Sequence, residues 1–298
     1  MLEGLFMNIS SVKAIVCDMD GTLLTARGTI HPLDIQSIHT LHERGIHFFI
    51  ATGRHLNFVL PYIKLIGSQY IDAVITLSGA AIYAGSDLTL LHKTPMFPAL
   101  SSDFISYLNE TGSNGCIYSE FIPFFKRAPK KGDALPSEFF ADQTLLYTYQ
   151  KDYLHLEDYS PFIGGDILKC TITRQPESFF NRFRTRFSTL SKCIYHNSDQ
   201  TFSCEAMDSS VTKTSGIAIA ATYFQLDLSD LLVIGDSNND LDMLESAKYA
   251  ATPRDSKILA DGTLTLVDHS FAMYHSHPVL ITNDHNSGIL QNILSQIV

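Results

Sequence analysis

The sequence predicts an α/β protein: a parallel-sheet core whose chain is interrupted by an inserted α+β domain. Two observations carry this. Short apolar runs that end in polar loops alternate with stretches of helical periodicity at both ends of the chain, the pattern of βαβ units. Between about residues 89 and 205 that pattern stops, and aromatic-rich runs punctuated by Pro take over, such as IYSEFIPFFKRAP and DILKCTITRQP. The expected boundaries are therefore 1–88 and 206–298 for a discontinuous core, and 89–205 for the insertion. A chain of 298 residues has room for such a pair of modest domains.

Each element has its own local reason. Ala14 to Cys17 is an apolar run suited to a strand buried on both faces, and it ends abruptly in Asp18, Asp20, Gly21 and Thr22. Pro32 opens a helix carried by Leu33, Ile38 and Leu41, and Gly45 stops it. The run HFFIATGR, residues 47–54, is a second strand leading into a polar loop. Leu56, Val59, Leu60 and Ile63 mark the next helix, with Pro61 as a kink and Gly67 as its stop. Ala73 to Leu77 is a third strand, running into Ser78-Gly79-Ala80. Inside the insertion, helices are expected over Phe97–Leu108 and Phe179–Leu190, beside a small antiparallel sheet. The βαβ pattern returns after Asp208 with a helix over Lys213–Tyr223, a strand over 230–236, and a helix beginning near Asn239. Both flanks together read as one Rossmann-like domain.

Composition excludes several function classes. With 45% hydrophobic and 17% charged residues the chain is globular. A net charge of −10 without Lys/Arg runs argues against nucleic acid or an acidic membrane as partner. An anionic substrate would have to be met by local positive groups. The five cysteines (17, 116, 170, 193, 204) are scattered and form no CxxC, which fits reduced thiols and a cytoplasmic location. The opening MLEGLFMNIS lacks the basic stretch and apolar length of a signal peptide, and Met7 offers an alternative start. No apolar stretch is long enough to span a bilayer. A monomer or homodimer is expected.

Four short sites fall at strand mouths or helix starts: Asp18-Met-Asp20-Gly-Thr22, Thr52-Gly53-Arg54, Lys213, and Gly235-Asp236-Ser-Asn-Asn239-Asp240. Open α/β sheets place their chemistry there, beyond the carboxyl ends of the strands. Two carboxylates as close as Asp18 and Asp20 repel, and a cation or a proton makes them tolerable. Taken singly, the first is an Asp-Gly turn, the second a strand-end turn, the third a surface lysine and the fourth an N-cap cluster. Together, in this order and at βαβ spacing, they select the catalytic reading. The set resembles the haloacid dehalogenase (HAD) superfamily of phosphohydrolases, and within it the Cof-type branch (type IIB) with a large cap between the second and third motifs. The resemblance covers about residues 11–88 and 206–250 by motif, and the cap by length and position.

That resemblance implies a Mg²⁺-dependent phosphohydrolase acting on a small phosphorylated metabolite through an aspartyl-phosphate. Asp18 would be the nucleophile and Asp20 the acid and base. The Mg²⁺ ligands would be the Asp18 carboxylate, the Asp20 backbone carbonyl and the Asp236 carboxylate. Thr52, the Gly53 amide, Lys213 and Asn239 would hold the phosphate, and Asp240 would support Lys213 or the metal's water shell. Sugar phosphates lead among substrates, ahead of pyridoxal phosphate, FMN and nucleotides. A sugar phosphomutase and a pocket-retaining regulatory protein are the alternatives, and the intact Asp18/Asp20 pair argues against the latter. Arg54 fits a substrate contact or a structural salt bridge. The chain departs from the family at Ser78, where relatives carry Asn, and at Thr214, where they carry Gly. It departs again at Pro253-Arg254-Asp255, where they carry Gly-Asn, and in the added stretch to about residue 280. Asp268, His269, His275 and His277 match no metal-ligand spacing and read as surface or packed residues. Phe121, Phe124, Phe125, Lys126 and Arg127 are candidates for a cap wall, although aromatic residues at strand spacing equally read as core.

Overall fold

Each apolar run at the two ends of the chain becomes a strand with a neighbour on either side. The computed structural model describes residues 11–113, 115–120, 123–125, 154–155, 166–196 and 200–297. The chain opens with β1 (Ala14–Cys17), α1 (Pro32–Glu43), β2 (His47–Ala51), α2 (Leu56–Ile66), β3 (Ala73–Thr76), β4 (Ala81–Ala84) and β5 (Leu90–Lys93). It continues through α3 (Pro98–Thr111), β6 (Gly115–Tyr118), β7 (Pro123–Phe125), β8 (Leu154–His155), β9 (Lys169–Gln175), α4 (Glu177–Arg186), β10 (Leu190–His196) and β11 (Phe202–Asp208). It closes with α5 (Lys213–Tyr223), β12 (Leu231–Ile234), α6 (Leu241–Ser246) and β13 (Tyr249–Thr252). After these come α7 (Lys257–Ala260), β14 (Thr265–Leu266), β15 (Phe271–Tyr274), β16 (His277–Ile281) and α8 (Ile289–Leu294).

Two compact units result, one of residues 1–53, 60–91 and 213–298, the other of residues 54–59 and 92–212. The first is built on a sheet of order β14-β15-β16-β13-β12-β1-β2-β3-β4-β5. Its six middle strands, β16 to β3, are parallel, and β4 and β15 turn back antiparallel at either side. From β1 the chain winds outward through β2 and β3, then returns on the opposite side of β1 as β12 and β13. At such a reversal the flanking connections diverge and leave a crevice beyond the strand ends. Asp18, directly after β1, stands at that reversal.

The second unit has a six-stranded sheet of order β10-β11-β9-β6-β7-β8, antiparallel apart from the β7–β8 pair. Helices α3 and α4 supply Phe104, Ile105, Leu108, Phe179, Phe180 and Phe183, which pack on Ile117, Cys170, Ile172, Cys204 and Ala206. A small sheet gains a dry core from large aromatic rings, which is why the segment reads as aromatic-rich.

Several boundaries differ from expectation for local reasons. The helix expected over 179–190 is Glu177–Arg186: Pro176 sets its start, and Leu190 already belongs to β10. The third strand stops at Thr76 because Leu77 and Ser78 both turn left-handed, at φ 51° and 57°. Helix α2 runs through Pro61 to Ile66. The stretch after Asp255 adds α7 and then the β14–β15–β16 edge of the sheet, with β16 docked parallel on β13. Cys17, Cys116, Cys170 and Cys204 are buried free thiols. No described helix is long and apolar enough to cross a membrane. Phe121, Lys126 and Arg127 lie outside the described residues, while Phe124 and Phe125 form part of β7.

A buried carboxylate ties the last helix to the first. Asp34 in α1 is fully buried, and its Oδ1 accepts the Leu290 N–H at the start of α8 at 2.8 Å, while Oδ2 has no partner. Burial pushes this carboxyl up to about 6, with the N–H groups of α8 opposing. The folded form thus holds its proton more tightly than the unfolded chain, so stability is lost as pH rises through about 4 to 6. The loss is on the order of 3 kcal/mol at most. Asp34→Asn, which keeps the Oδ1 acceptor, should flatten that part of the curve in chemical denaturation between pH 4.5 and 7.5. Parallel wild-type and variant curves would exclude Asp34 as the source.

Candidate active site

The site begins where β1 ends. The Asp18 N–H still donates to the Ile234 carbonyl at 2.9 Å, so Asp18 is held at the register of β12. The chain then turns, with the Leu23 N–H returning to the Asp18 carbonyl and the Leu24 N–H to that of Met19. Gly21 makes the turn at φ +83° and lies so close to Asp236 that a Cβ there would sit 2.5 Å from Asp236 Oδ2. The glycine of DxDG is therefore set by a contact across two strand ends as well as by the turn.

Three carboxylates and one ammonium share the space above β1 and β12. Lys213, the first residue of α5, is buried, with Nζ 2.5 Å from Asp18 Oδ1 and 2.6 Å from Asp240 Oδ1. Asp240 spends its other oxygen inside the turn, accepting the N–H groups of Asp236 and Ser237, each at 3.1 Å, and the Ser237 hydroxyl at 3.2 Å. It is a brace holding both the β12–α6 turn and Lys213. Asp236 is otherwise placed: Oδ1 is buried without a partner, and Oδ2 faces Lys257 Nζ at 3.5 Å. Burial pushes Asp18 well above the usual carboxylate range; Lys213 opposes this, while Asp240, Asp236 and Asp20 reinforce it. Burial would lower Lys213, but Asp18 and Asp240 outweigh it and keep the ammonium charged. Burial also lifts Asp236 to about 6, against the pull of Lys257.

Such a cluster has more negative charge than Lys213 neutralises. Oxygens of Asp18, Asp236 and Asp240 approach one another within 4.8 Å, so the trio can hold a metal ion. The orphaned Asp236 Oδ1 is a buried acceptor that a cation could use, and an all-oxygen set suits a hard ion. Among the described residues this trio is the group with metal-binding geometry. The histidine stretch has none: His275 is exposed beside Glu245 on the β15–β16 hairpin, and Asp268 Oδ1 accepts the N–H groups of Ser270 and Phe271.

Asp18, Asp236, Lys213 and Asp240 are thus brought together. The Asp20 side chain is exposed on the turn, outside the trio. Thr52 and Gly53 follow β2, the parallel neighbour of β1. Thr52 is buried, its N–H donating to Ile75 and its carbonyl accepting the Ser78 N–H, both at 2.9 Å. Asn239 is exposed, with Oδ1 accepting the Ser237 hydroxyl at 2.5 Å. Arg54 is buried and falls within the second unit. Lys257 was not singled out in the sequence. Its signal was its place at a helix start just beyond β13, the strand beside β12.

A family model described as haloacid dehalogenase-like hydrolase matches residues 15–253. An HMP-PP phosphatase of Citrobacter koseri is 24% identical over 234 residues, covering 77% of this chain and 79% of that protein. Among solved structures, a sugar phosphatase of HAD subclass IIB superposes with a TM-score of 0.70 at 18% identity, covering 95% of this chain and 97% of the other. A haloacid dehalogenase-like hydrolase from B. subtilis superposes with a TM-score of 0.72 at 16% identity, covering 96% and 100%. The two structures share the fold. The chain belongs to the haloacid dehalogenase-like hydrolase family, and is an enzyme of that hydrolase class.

The contact between Gly21 and Asp236 makes a direct forecast. Gly21→Ala must strain a left-handed backbone and push Asp236 aside. It should lower the melting temperature by several degrees and weaken divalent-ion binding at least tenfold, on the order of 1.4 kcal/mol. Isothermal titration with unchanged affinity would remove Gly21 from the site.

Proposed function

We propose that this protein is a Mg²⁺-dependent phosphatase of small phosphorylated metabolites, with sugar phosphates as the leading class. The observation that carries it is the pairing of Lys213 with Asp18 beside an Asp236 whose Oδ1 has no protein partner. Asp18, the Asp20 main-chain carbonyl and Asp236 would hold Mg²⁺, which when bound neutralises the carboxylates and draws charge from the phosphoryl oxygens. Asp18 attacks phosphorus and forms an aspartyl-phosphate, so one hard displacement becomes two easier ones. Asp20, exposed on its turn, gives a proton to the leaving oxygen and later takes one from the attacking water. Lys213 keeps Asp18 oriented and opposes the effect of burial on its charge, and with Thr52, the Gly53 amide and Asn239 it stabilises the charge spread over the equatorial oxygens. The inserted unit is assigned the role of a cap that selects the leaving group. The sugar-phosphate preference is supported by the subclass IIB neighbour named a sugar phosphatase, and the curated relative named for HMP-PP widens the panel to test.

Phosphate release measured across a metabolite panel, with and without Mg²⁺, tests this reading. A strict requirement for a bisphosphate activator would favour a phosphomutase. No release with any substrate would favour a binding or regulatory protein.

Asp18→Asn should lower turnover at least a thousandfold, about 4 kcal/mol, while leaving the melting temperature nearly unchanged, since Asn keeps an Oδ1 acceptor for Lys213 and relieves repulsion among the carboxylates. Turnover within tenfold of wild type would exclude Asp18 as nucleophile. Exhaustive chelation should abolish activity, and Ca²⁺ should bind without restoring it, because an ion that takes more oxygen ligands at longer distances would compete for the Asp18 oxygen needed for attack. Full activity in chelator would refute the metal assignment.

A further inference from the structure

Two lysines touch the carboxylates of this site, and they are built differently. Lys213 is 1% exposed and makes two short contacts. Lys257 makes a single 3.5 Å contact to Asp236 Oδ2, and its side chain is 75% exposed. The first is fixed by its bonds. An ammonium of the second kind exchanges freely between its partner and water, because little packing or hydrogen bonding is lost when it leaves.

The backbone beneath Lys257 is nevertheless firmly placed. The Ile258 N–H donates to the carbonyl of Asp236 itself at 3.2 Å, so the start of α7 is tied to the residue whose charge Lys257 meets. On the other side, Asp255 accepts from the His285 N–H at 3.0 Å and pairs with His285 Nδ1 at 2.6 Å. The Arg254 N–H donates to the Asn283 carbonyl. The loop where this chain carries Pro253-Arg254-Asp255 thus holds the root of Lys257 still and leaves its ammonium loose.

We infer that Lys257 is a displaceable counter-ion for Asp236: it neutralises that carboxylate while no divalent ion is present and yields its place when one binds. The inference rests on the metal site of the proposed function and adds a residue that the site motifs do not include. Two consequences follow from the charge. The ammonium opposes an incoming cation and so weakens its binding, and it stabilises the metal-free protein by relieving repulsion among the buried carboxylates.

The test uses the full-length protein without substrate. Mg²⁺ alone is titrated calorimetrically into wild type, Lys257→Gln and Lys257→Arg, and melting is followed in chelator and at saturating Mg²⁺. The Gln variant should bind Mg²⁺ roughly three- to tenfold more tightly, melt lower than wild type in chelator, and lose that deficit at saturating Mg²⁺. The Arg variant should resemble wild type. In an Asp236→Asn background, Lys257→Gln should no longer change the melting temperature in chelator, because the pair it disrupts is already gone. Mg²⁺ affinity within twofold of wild type, or weaker, in the Gln variant would overturn the counter-ion role while leaving the metal site intact. Absence of saturable Mg²⁺ binding in wild type would overturn the metal site and this inference together.

Discussion

The site depends on one buried ammonium. Lys213 sits between Asp18 and Asp240, at 2.5 and 2.6 Å, in a region that admits almost no water. Without it, Asp18 and Asp240 would lose the protein's own positive charge between them. A buried ion pair of this kind is weak evidence for stability, since desolvation offsets much of its attraction. What it specifies is arrangement: α5 must begin where its first side chain reaches both carboxylates. Asp240 transmits the same demand to the β12–α6 turn through the N–H groups of Asp236 and Ser237. The residue that completes the pair is thereby also the residue that aims Asp236.

The sheet places these groups with little help from loops. Strands β12, β1 and β2 are parallel neighbours, with Cys17 in register with Ile234 on one side and Ile50 on the other. Residues one or two beyond those positions must then emerge side by side, which is how Asp18, Asp236 and Thr52 come to adjacent strand ends. The small residues Ala14, Ala51, Ala73 and Ala220 keep the layers close. Helix α5 comes closer still at Gly216, where a Cβ would meet Gly79 Cα at 2.6 Å.

Much of this was legible from spacing. The apolar run before Asp18 and the helix starting at Lys213 lie where the periodicity put them, because local pattern and tertiary burial agree there. The left-handed turn at Leu77 and Ser78 was not legible. It depends on the Ser78 N–H reaching Thr52 and on α5 pressing against Gly79, neither of which is local. Asp34 gave no sign of its burial, because its partner lies 256 residues away. In α4 the apolar phase continued into Phe187 and Leu190, so periodicity overran the helix end at Arg186, while Pro176 set the start at Glu177. Lys257 was hidden for another reason: an exposed lysine at a helix start looks like any other until the sheet sets it beside Asp236.

The position of β1 has a consequence for synthesis. Its two partners arrive at very different times, β2 almost at once and β12 only after the whole inserted unit has been made. Until then the nascent core is a five-stranded half-sheet, β1 to β5, with the apolar edge of β1 open, a template for pairing with another chain. The inserted unit, whose two helices and sheet strands form their own aromatic core, has all its own residues from 92 to 212 in hand before β12 appears. Assembly from the ribosome would then run from the inside outward, with the carboxylate cluster last to close, since Lys213, Asp236 and Asp240 reach Asp18 only at the end. The long separation that brings these charged groups together at a sheet centre also leaves one strand edge of β1 unpaired while it waits.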